Sequence, residues 1–329
     1  MAKTVLLTGA TGFLGSHLAH TLAKEGYNLI LLKRSTSDIW RIHDLLSKVK
    51  GCFDADCVDD WSRPFCEYGK VDAIIHTATN YGRGDESIYS VQEANVNFPL
   101  RLLEVGIKHG VRCFLNTDSF FQKNRLSNAY MGSYSLTKRH FYDWGEFFAE
   151  NEKVCFANLR LEHVYGPNDG KNKFIPFVLS SCIDNVPCLK LTEGMQRRDF
   201  VYVNDVVSAF QTVLADCLNH PEPELRNYEV GTGKSMPIRT FIEAIAEVTG
   251  TKTILDFGAI PMHSNEILDS HANTESLKDI GWRPKYTDIY KGIRTMVRED
   301  EMMMSIIKKS GGVERNIITI CLPERRQSA

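Results

Sequence analysis

A phenol and an ammonium four residues apart carry the clearest chemistry in this chain. In Tyr134-Ser135-Leu136-Thr137-Lys138 the spacing puts Tyr134 and Lys138 on one face, a turn apart, provided the segment is helical. Phe141, Trp144 and Phe148 continue an apolar stripe below them, which predicts a helix. A tyrosine hydroxyl titrates near pH ~10 and moves protons poorly at neutrality, but a neighbouring ammonium stabilises its anion. The pair then acts as general acid toward a ketone and as base toward an alcohol. Upstream, Cys113-Phe114-Leu115 reads as a strand whose end carries Asn116-Thr117-Asp118-Ser119. A hydroxyl at that end shares a substrate carbonyl with the phenol. Thr117 is the first choice and Ser119 the second; in the alternative, Thr117 and Asp118 cap the following turn.

Near the N-terminus, Val5-Leu6-Leu7 reads as a strand and runs into Thr8-Gly9-Ala10-Thr11-Gly12-Phe13-Leu14-Gly15. Glycines at 9, 12 and 15 let the chain turn tightly, bring backbone N–H groups onto a pyrophosphate and pack helix against strand. A nicotinamide dinucleotide is the ligand this predicts. The next strand, Leu29-Ile30-Leu31-Leu32, ends in Lys33-Arg34, where an NAD-binding protein places a carboxylate on the adenosine ribose. Two cations suit a 2'-phosphate instead, and Arg grips it through paired hydrogen bonds. NADP(H) is therefore expected over NAD, unless both side chains are simply solvated. Asp56, beside Cys57, is placed near the adenine amino group, with Asp54 as the alternative. Bringing the Tyr134 phenol to neutrality takes about 4 kcal/mol, which one desolvated cation and a positively charged nicotinamide supply between them.

The elements that position these residues alternate. Strands at 5–7, 29–32, 73–75 and 113–115 are separated by helical patterns such as Leu14/Leu18/Leu22 before Gly26 and Val96/Leu100/Leu103/Ile107 before Gly110. That alternation predicts an α/β fold, a Rossmann-type doubly wound parallel sheet. Beyond about residue 160 five prolines, from Pro167 to Pro223, break the pattern into short elements. The expected division is 1–165 for the dinucleotide and the Tyr/Lys pair, 166–300 for a smaller substrate-binding lobe with some segments returning to the first, and 301–329 as a tail without a motif. With 329 residues, 43% hydrophobic, 24% charged and a net charge of -2, disorder, collagen and coiled coil are excluded, and no broad attraction for nucleic acid or anionic lipid exists. No run approaches the ~20 apolar residues of a membrane span, and no secretory leader opens the chain, so a cytoplasmic protein is expected. Nine scattered cysteines lack the spacing of a disulfide framework or a zinc site, and most are expected to be buried.

Taken jointly, these residues resemble a known family. The glycine loop, His76-Thr77-Ala78, Asn95-Val96-Asn97, Thr117 before the Tyr-x-x-x-Lys, Leu159-Arg160 running into Val164-Tyr165-Gly166-Pro167, and Arg198-Asp199-Phe200-Val201-Tyr202-Val203-Asn204-Asp205 are similar to the extended short-chain dehydrogenases/reductases, the NAD-dependent epimerase/dehydratase family. Residues 116–121, 137–141, 161–167, 172–176 and 257–260 bring the likeness nearest to the CDP-abequose and CDP-paratose synthases, reductases of a CDP-4-keto-3,6-dideoxyhexose in O-antigen assembly. The resemblance implies catalytic roles for Thr117, Tyr134 and Lys138. It implies cofactor contacts from Gly9, Thr11, Gly12, Phe13, Leu14, Gly15, Lys33, Arg34, Asp56, Cys57, Thr77, Ala78, Thr79, Lys138 and His163. Substrate contacts are implied for Tyr81, Thr117, Asp118, Ser119, Tyr134, Glu162, His163, Lys173, Phe174, Arg198 and His263. Arg198 is expected to meet the substrate diphosphate, or else to pair with Asp199 or Asp205. His263 stands where relatives often carry a second arginine. A homodimer joined through the helices around 96–107 and 134–148 is also implied, as in relatives.

The same fold serves reductases, 4-epimerases and 4,6-dehydratases. Dehydratases of the family carry an Asp-Glu pair after the threonine; here Ser119 replaces the Glu, so elimination lacks its base. An epimerase retains NAD, whereas a net reductase exchanges its cofactor, which fits Lys33-Arg34. The expectation is an NADPH-dependent 4-ketoreductase of a nucleotide-linked deoxyhexose, with a 4-epimerase and a non-catalytic NADP(H) sensor as alternatives.

Overall fold

Val5, Leu6, Leu7, Ile74, Ile75, Phe114 and Leu115 are all wholly buried, as strands of a parallel sheet covered on both faces must be. The computed structural model describes residues 2–57, 61–123, 131–151, 153–262 and 266–309, with the backbone alone for 300–309. In chain order the elements are β1 (Thr4–Thr8), α1 (Phe13–Lys24), β2 (Asn28–Lys33), β3 (Gly51–Asp54), α2 (Arg63–Cys66), β4 (Ala73–His76), α3 (Ile88–Gln92), a π-helical turn (Glu93–Asn97), α4 (Phe98–Lys108), β5 (Cys113–Ser119), α5 (Gly132–Glu150), β6 (Cys155–Leu161), β7 (His163–Tyr165), α6 (Phe174–Ile183), β8 (Cys188–Leu191), β9 (Arg197–Arg198), β10 (Phe200–Tyr202), α7 (Val203–Asn219), β11 (Leu225–Val230), β12 (Met236–Pro237), α8 (Ile238–Thr249), β13 (Ile254–Phe257), β14 (Asp269–Ser270), α9 (Glu275–Asp279) and α10 (Ile289–Lys309).

Seven strands form one sheet in the order β11-β6-β5-β4-β1-β2-β3, every neighbouring pair parallel. The order reverses between β1 and β4, so their C-terminal ends open the crevice in which such sheets take ligands. On one face Val5, Leu7 and Leu115 pack with Leu18, Leu22, Val206 and Phe210 of α1 and α7. On the other, Leu6, Ile74, Phe114 and Phe156 pack with Leu102, Leu103 and Phe141 of α4 and α5. After the apolar stretch of each central strand a polar row follows, in which Thr8, His76, Asn116 and Asn158 stand in register. Beyond the sheet, β7 pairs with β10, β8 with β13, and β9 with both β12 and β14.

Three expectations are corrected. The helical pattern over 96–107 is interrupted, since Val96 lies in the π-helical turn and α4 begins only at Phe98. In α5 the buried face is Tyr134, Thr137, Lys138, Phe141, Tyr142 and Gly145, while Trp144 is 42% exposed. Gly145 sets that rotation, because a Cβ there would lie 2.2 Å from the Phe156 ring. Of the eight described cysteines, all free, Cys113, Cys155, Cys182 and Cys217 are buried but Cys52, Cys57, Cys66 and Cys188 are exposed. Among the described residues no helix is long and apolar enough to cross a membrane.

Candidate active site

The Tyr/Lys pair sits where α5 crosses the end of β5. Lys138 donates from Nζ to the Thr117 carbonyl at 2.8 Å and is 2% exposed. The Tyr134 phenol meets the Ser119 side chain, at the end of the strand that also carries Thr117. Thr117 Oγ1 is buried without a hydrogen-bond partner among the described residues. A lone buried hydroxyl is costly, and this one stands on β5 two residues before Ser119.

The protonation states differ from the expected acidified phenol. Burial, and next the neighbouring Tyr81, push Tyr134 well above the ordinary tyrosine range. Burial also pulls Lys138 down to about 8, against the opposing pull of Asp118. The ammonium lies 6.0 Å from the Tyr134 ring centre and is directed at a carbonyl, so it does not acidify the phenol in this state. A protonated tyrosine is the form that donates to a ketone. Asp118, expected among the substrate contacts, is committed elsewhere. Its oxygens accept from Ser119 N at 2.7 Å, Gln122 Nε2 at 2.8 Å and Asn158 Nδ2 at 3.0 Å, with Arg160 at 3.4 Å, and it serves as the buried counter-charge of Lys138.

At the crevice, Gly9 takes φ +73°, and a Cβ on it would lie 2.6 Å from the Ala78 nitrogen. Gly12 caps α1 with no side chain on the first-turn N–H groups, leaving them for an anion. Phe13 opens the helix with Leu14 and Gly15 behind it. The loop after β4 is bound to the same place. Thr77 Oγ1 donates to Thr8 O at 2.8 Å, the Ala78 N–H points to Thr8 Oγ1 at 3.3 Å, and Thr79 Oγ1 donates to Asn95 Oδ1 at 3.2 Å. This close-walled cradle at the switch point fits a dinucleotide. The basic pair is divided: Lys33 is ion-paired with Asp54, leaving Arg34 as the exposed cation. Asp56 accepts from the Ser35 nitrogen and hydroxyl, each at 2.7 Å, and so shapes the turn after β2 beside the exposed Cys57.

On the opposite wall, Tyr81 stacks on Tyr134 with ring centres 5.1 Å apart. Lys173 pairs with Asp169 at 2.8 Å, and Phe174 is half-exposed beside it. Glu162 is buried against Lys123 at 2.6 Å and Ser270 at 2.8 Å. His163 packs edge-on to Phe200 at 5.2 Å; burial and the Arg198 and Lys173 charges hold it neutral. Arg198, buried, pairs with Glu266 rather than with Asp199 or Asp205 and donates to Ile267 O at 2.6 Å. His263 lies outside the described residues, as do 310–329 of the tail.

Two contributors, Arg41 and Asn95, were given no site role from the sequence. Arg41 ties the Thr11 carbonyl at 3.2 Å to the Asn168 carbonyl at 2.9 Å, and nothing in its neighbours marks it. Asn95 accepts from the Asn80 nitrogen at 2.7 Å and donates to the Asn80 carbonyl at 2.7 Å and to Thr137 Oγ1 at 3.0 Å; an amide inside an apolar helix was its signal.

Comparison with known proteins follows the same lines. A CDP-abequose synthase of Salmonella typhimurium is 38% identical over 301 residues, 91% of this chain and 98% of its own. A mouse dTDP-D-glucose 4,6-dehydratase is 25% identical, covering 86% of this chain and 85% of its own. Among solved structures, a UDP-glucose 4-epimerase of Thermotoga maritima with UDP-glucose superposes with a TM-score of 0.79 at 20% identity, covering 92% and 99%. An epimerase of Methanothermobacter thermautotrophicus gives 0.80 at 21%, covering 94% and 95%. The sequence pattern of one family matches residues 5–231, and with the relatives above it makes this chain a member of the NAD dependent epimerase/dehydratase family.

Proposed function

We propose that the protein is an NADPH-dependent 4-ketoreductase of a nucleotide-linked, CDP-attached 4-keto-deoxyhexose, with 166–300 as the lobe that holds the sugar nucleotide. The observation that carries this is the unpartnered Thr117 hydroxyl on the strand whose Ser119 meets the protonated Tyr134, and we read the two hydroxyls as the pair that receives a carbonyl oxygen. The relatives named CDP-abequose synthase support the substrate class, and exposed Arg34 supports a 2'-phosphate. When bound, the reduced nicotinamide supplies the hydride. Thr117 donates to the carbonyl oxygen and Tyr134 delivers its proton there. Lys138, one turn along α5 and held by the Thr117 carbonyl in the free protein, is the cation that turns toward the tyrosinate left behind and stabilises it. Leu136, Trp144 and Phe147 are exposed on α5, and we take this face as the contact between two copies of the chain.

The test is to mix the protein with NADPH and a CDP-4-keto-deoxyhexose and follow the absorbance of reduced cofactor. Stoichiometric loss is expected; sugar inversion without loss would show an epimerase instead. Two further results are expected. Thr117→Val removes an unsatisfied buried hydroxyl, so stability should hold or rise by about 1 kcal/mol while turnover falls about 10²-fold; thermal melts and steady-state rates check both. In pH profiles, kcat/KM should fall as pH rises through about 8, because the Lys138 cation present below that point is lost above it. A flat profile to pH ~10 would remove Lys138 from that role.

A further inference from the structure

Tyr134 owes its shelter to a neighbour that the reaction scheme above does not use. Tyr81 lies nearly flat on it, ring centres 5.1 Å apart at 28°, and Phe121 closes a second side edge-on at 6.3 Å, so that Tyr134 is only 6% exposed. Tyr81 is in turn fixed from both directions. Its loop is clamped at Asn80 by Asn95, and the next residue, Gly82, turns with φ +62° so close to α5 that a Cβ would lie 2.9 Å from Ser133 Oγ. Two cations sit against the outer ring: Arg83 with Cζ at 5.1 Å and Lys173 with Nζ at 5.5 Å. The same Lys173 nitrogen is 5.4 Å from the Phe13 ring and 2.8 Å from Asp169. It therefore spans from the glycine loop to the loop after β4, across the mouth of the crevice.

We propose that Tyr81 is a positioning residue: its ring is a cover that keeps water from the Tyr134 phenol, held in place by Lys173. Resting on the reading of Tyr134 as proton donor, this assigns Tyr81 to the acid rather than to the sugar. The groups facing Tyr134 are Tyr81 and Arg83 from the loop after β4, Asp118 and Ser119 from β5, and Lys138 from its own helix. A flat aromatic cover excludes water without offering a hydrogen bond, and a phenol denied water keeps its proton. Cation–π contacts to two charges hold the cover more firmly than packing alone.

The test is ultraviolet titration of tyrosinate in the free protein, comparing wild type with Tyr134→Phe, and Tyr81→Leu with the Tyr81→Leu/Tyr134→Phe pair. The first difference isolates Tyr134 beneath its cover and should show no ionisation near pH ~10. In the second, one tyrosine should ionise near that ordinary value, its ionisation constant raised about tenfold or more. Lys173→Met, which leaves the ring but removes the charge, should move Tyr134 the same way by a smaller factor. Tyr134 ionising as late in the Tyr81→Leu background as in wild type overturns the proposal. Should Tyr81→Leu fail to fold by circular dichroism, Lys173→Met decides, and an unmoved Tyr134 overturns it. No substrate is needed, so a wild-type protein that fails to reduce the ketone would defeat the functional reading alone.

Discussion

Tyr134→Phe is expected to slow ketone reduction by about 10²–10⁴-fold, the range a positioned general acid supplies, while dinucleotide affinity stays within about twofold. The separation follows from geometry. The hydroxyl's contact is with Ser119 on β5, and the cradle of Gly9, Gly12 and Gly15 lies at the junction of β1 and α1, so losing one oxygen leaves the cofactor crevice intact. The ring survives in phenylalanine, so the stack on Tyr81 survives with it. Single-turnover measurement with NADPH separates the proton-transfer step from cofactor exchange. An unchanged single-turnover rate would remove Tyr134 from the chemistry, and a rate loss matched by lost affinity would make it structural.

The second large effect belongs to Gly15→Ala. A Cβ there would stand 2.1 Å from the Gly9 carbonyl oxygen and 2.8 Å from Thr77 Oγ1. Neither contact is the free end of a flexible side chain. The first is backbone of the turn itself, and Thr77 is tied to the Thr8 carbonyl. To admit one methyl group, α1 must move away from β1 and from the loop after β4 together. Overpacking of this kind costs about 1–3 kcal/mol, and it falls on the N–H groups meant for pyrophosphate. Dinucleotide affinity should drop about 10²-fold, roughly 2.7 kcal/mol, with a lowered Tm. Calorimetric titration with NADPH and with NADH measures this and also compares the two cofactors. Unaltered affinity would show that the ligand does not rest on this turn.

Much of this was legible in the chain because single residues carried it. Three glycines, each three residues from the next, between an apolar run and an amphipathic helix have few uses, so β1, the turn and α1 could be placed, and the alternation of strands gave the parallel sheet. That Tyr134 and Lys138 share one face of α5 followed from their spacing and the apolar stripe below them. Their protonation did not, because Tyr81, which covers Tyr134, comes from a loop far away in sequence, and burial outweighs the neighbouring charge. Asp118 and Lys33 read as free groups until Asn158, Gln122 and Asp54 arrived as partners. Arg198 was expected to meet a diphosphate, or else Asp199 or Asp205; alternation of side chains along an extended segment sends Asp199 to the opposite side, and the carboxylate that Arg198 meets came from residue 266.

The wide turn at Glu93–Asn97 makes α3 and α4 one helix carrying a surplus residue. Deleting one of the four residues around Asn95 would remove the surplus residue and close the wide turn that carries Asn95 into a regular spiral. Asn95 would then point along the barrel of the helix instead of at Asn80 and Thr137, and the segment bearing Tyr81 would lose its anchor. Length in this stretch, more than composition, is what a functional copy of this enzyme must preserve.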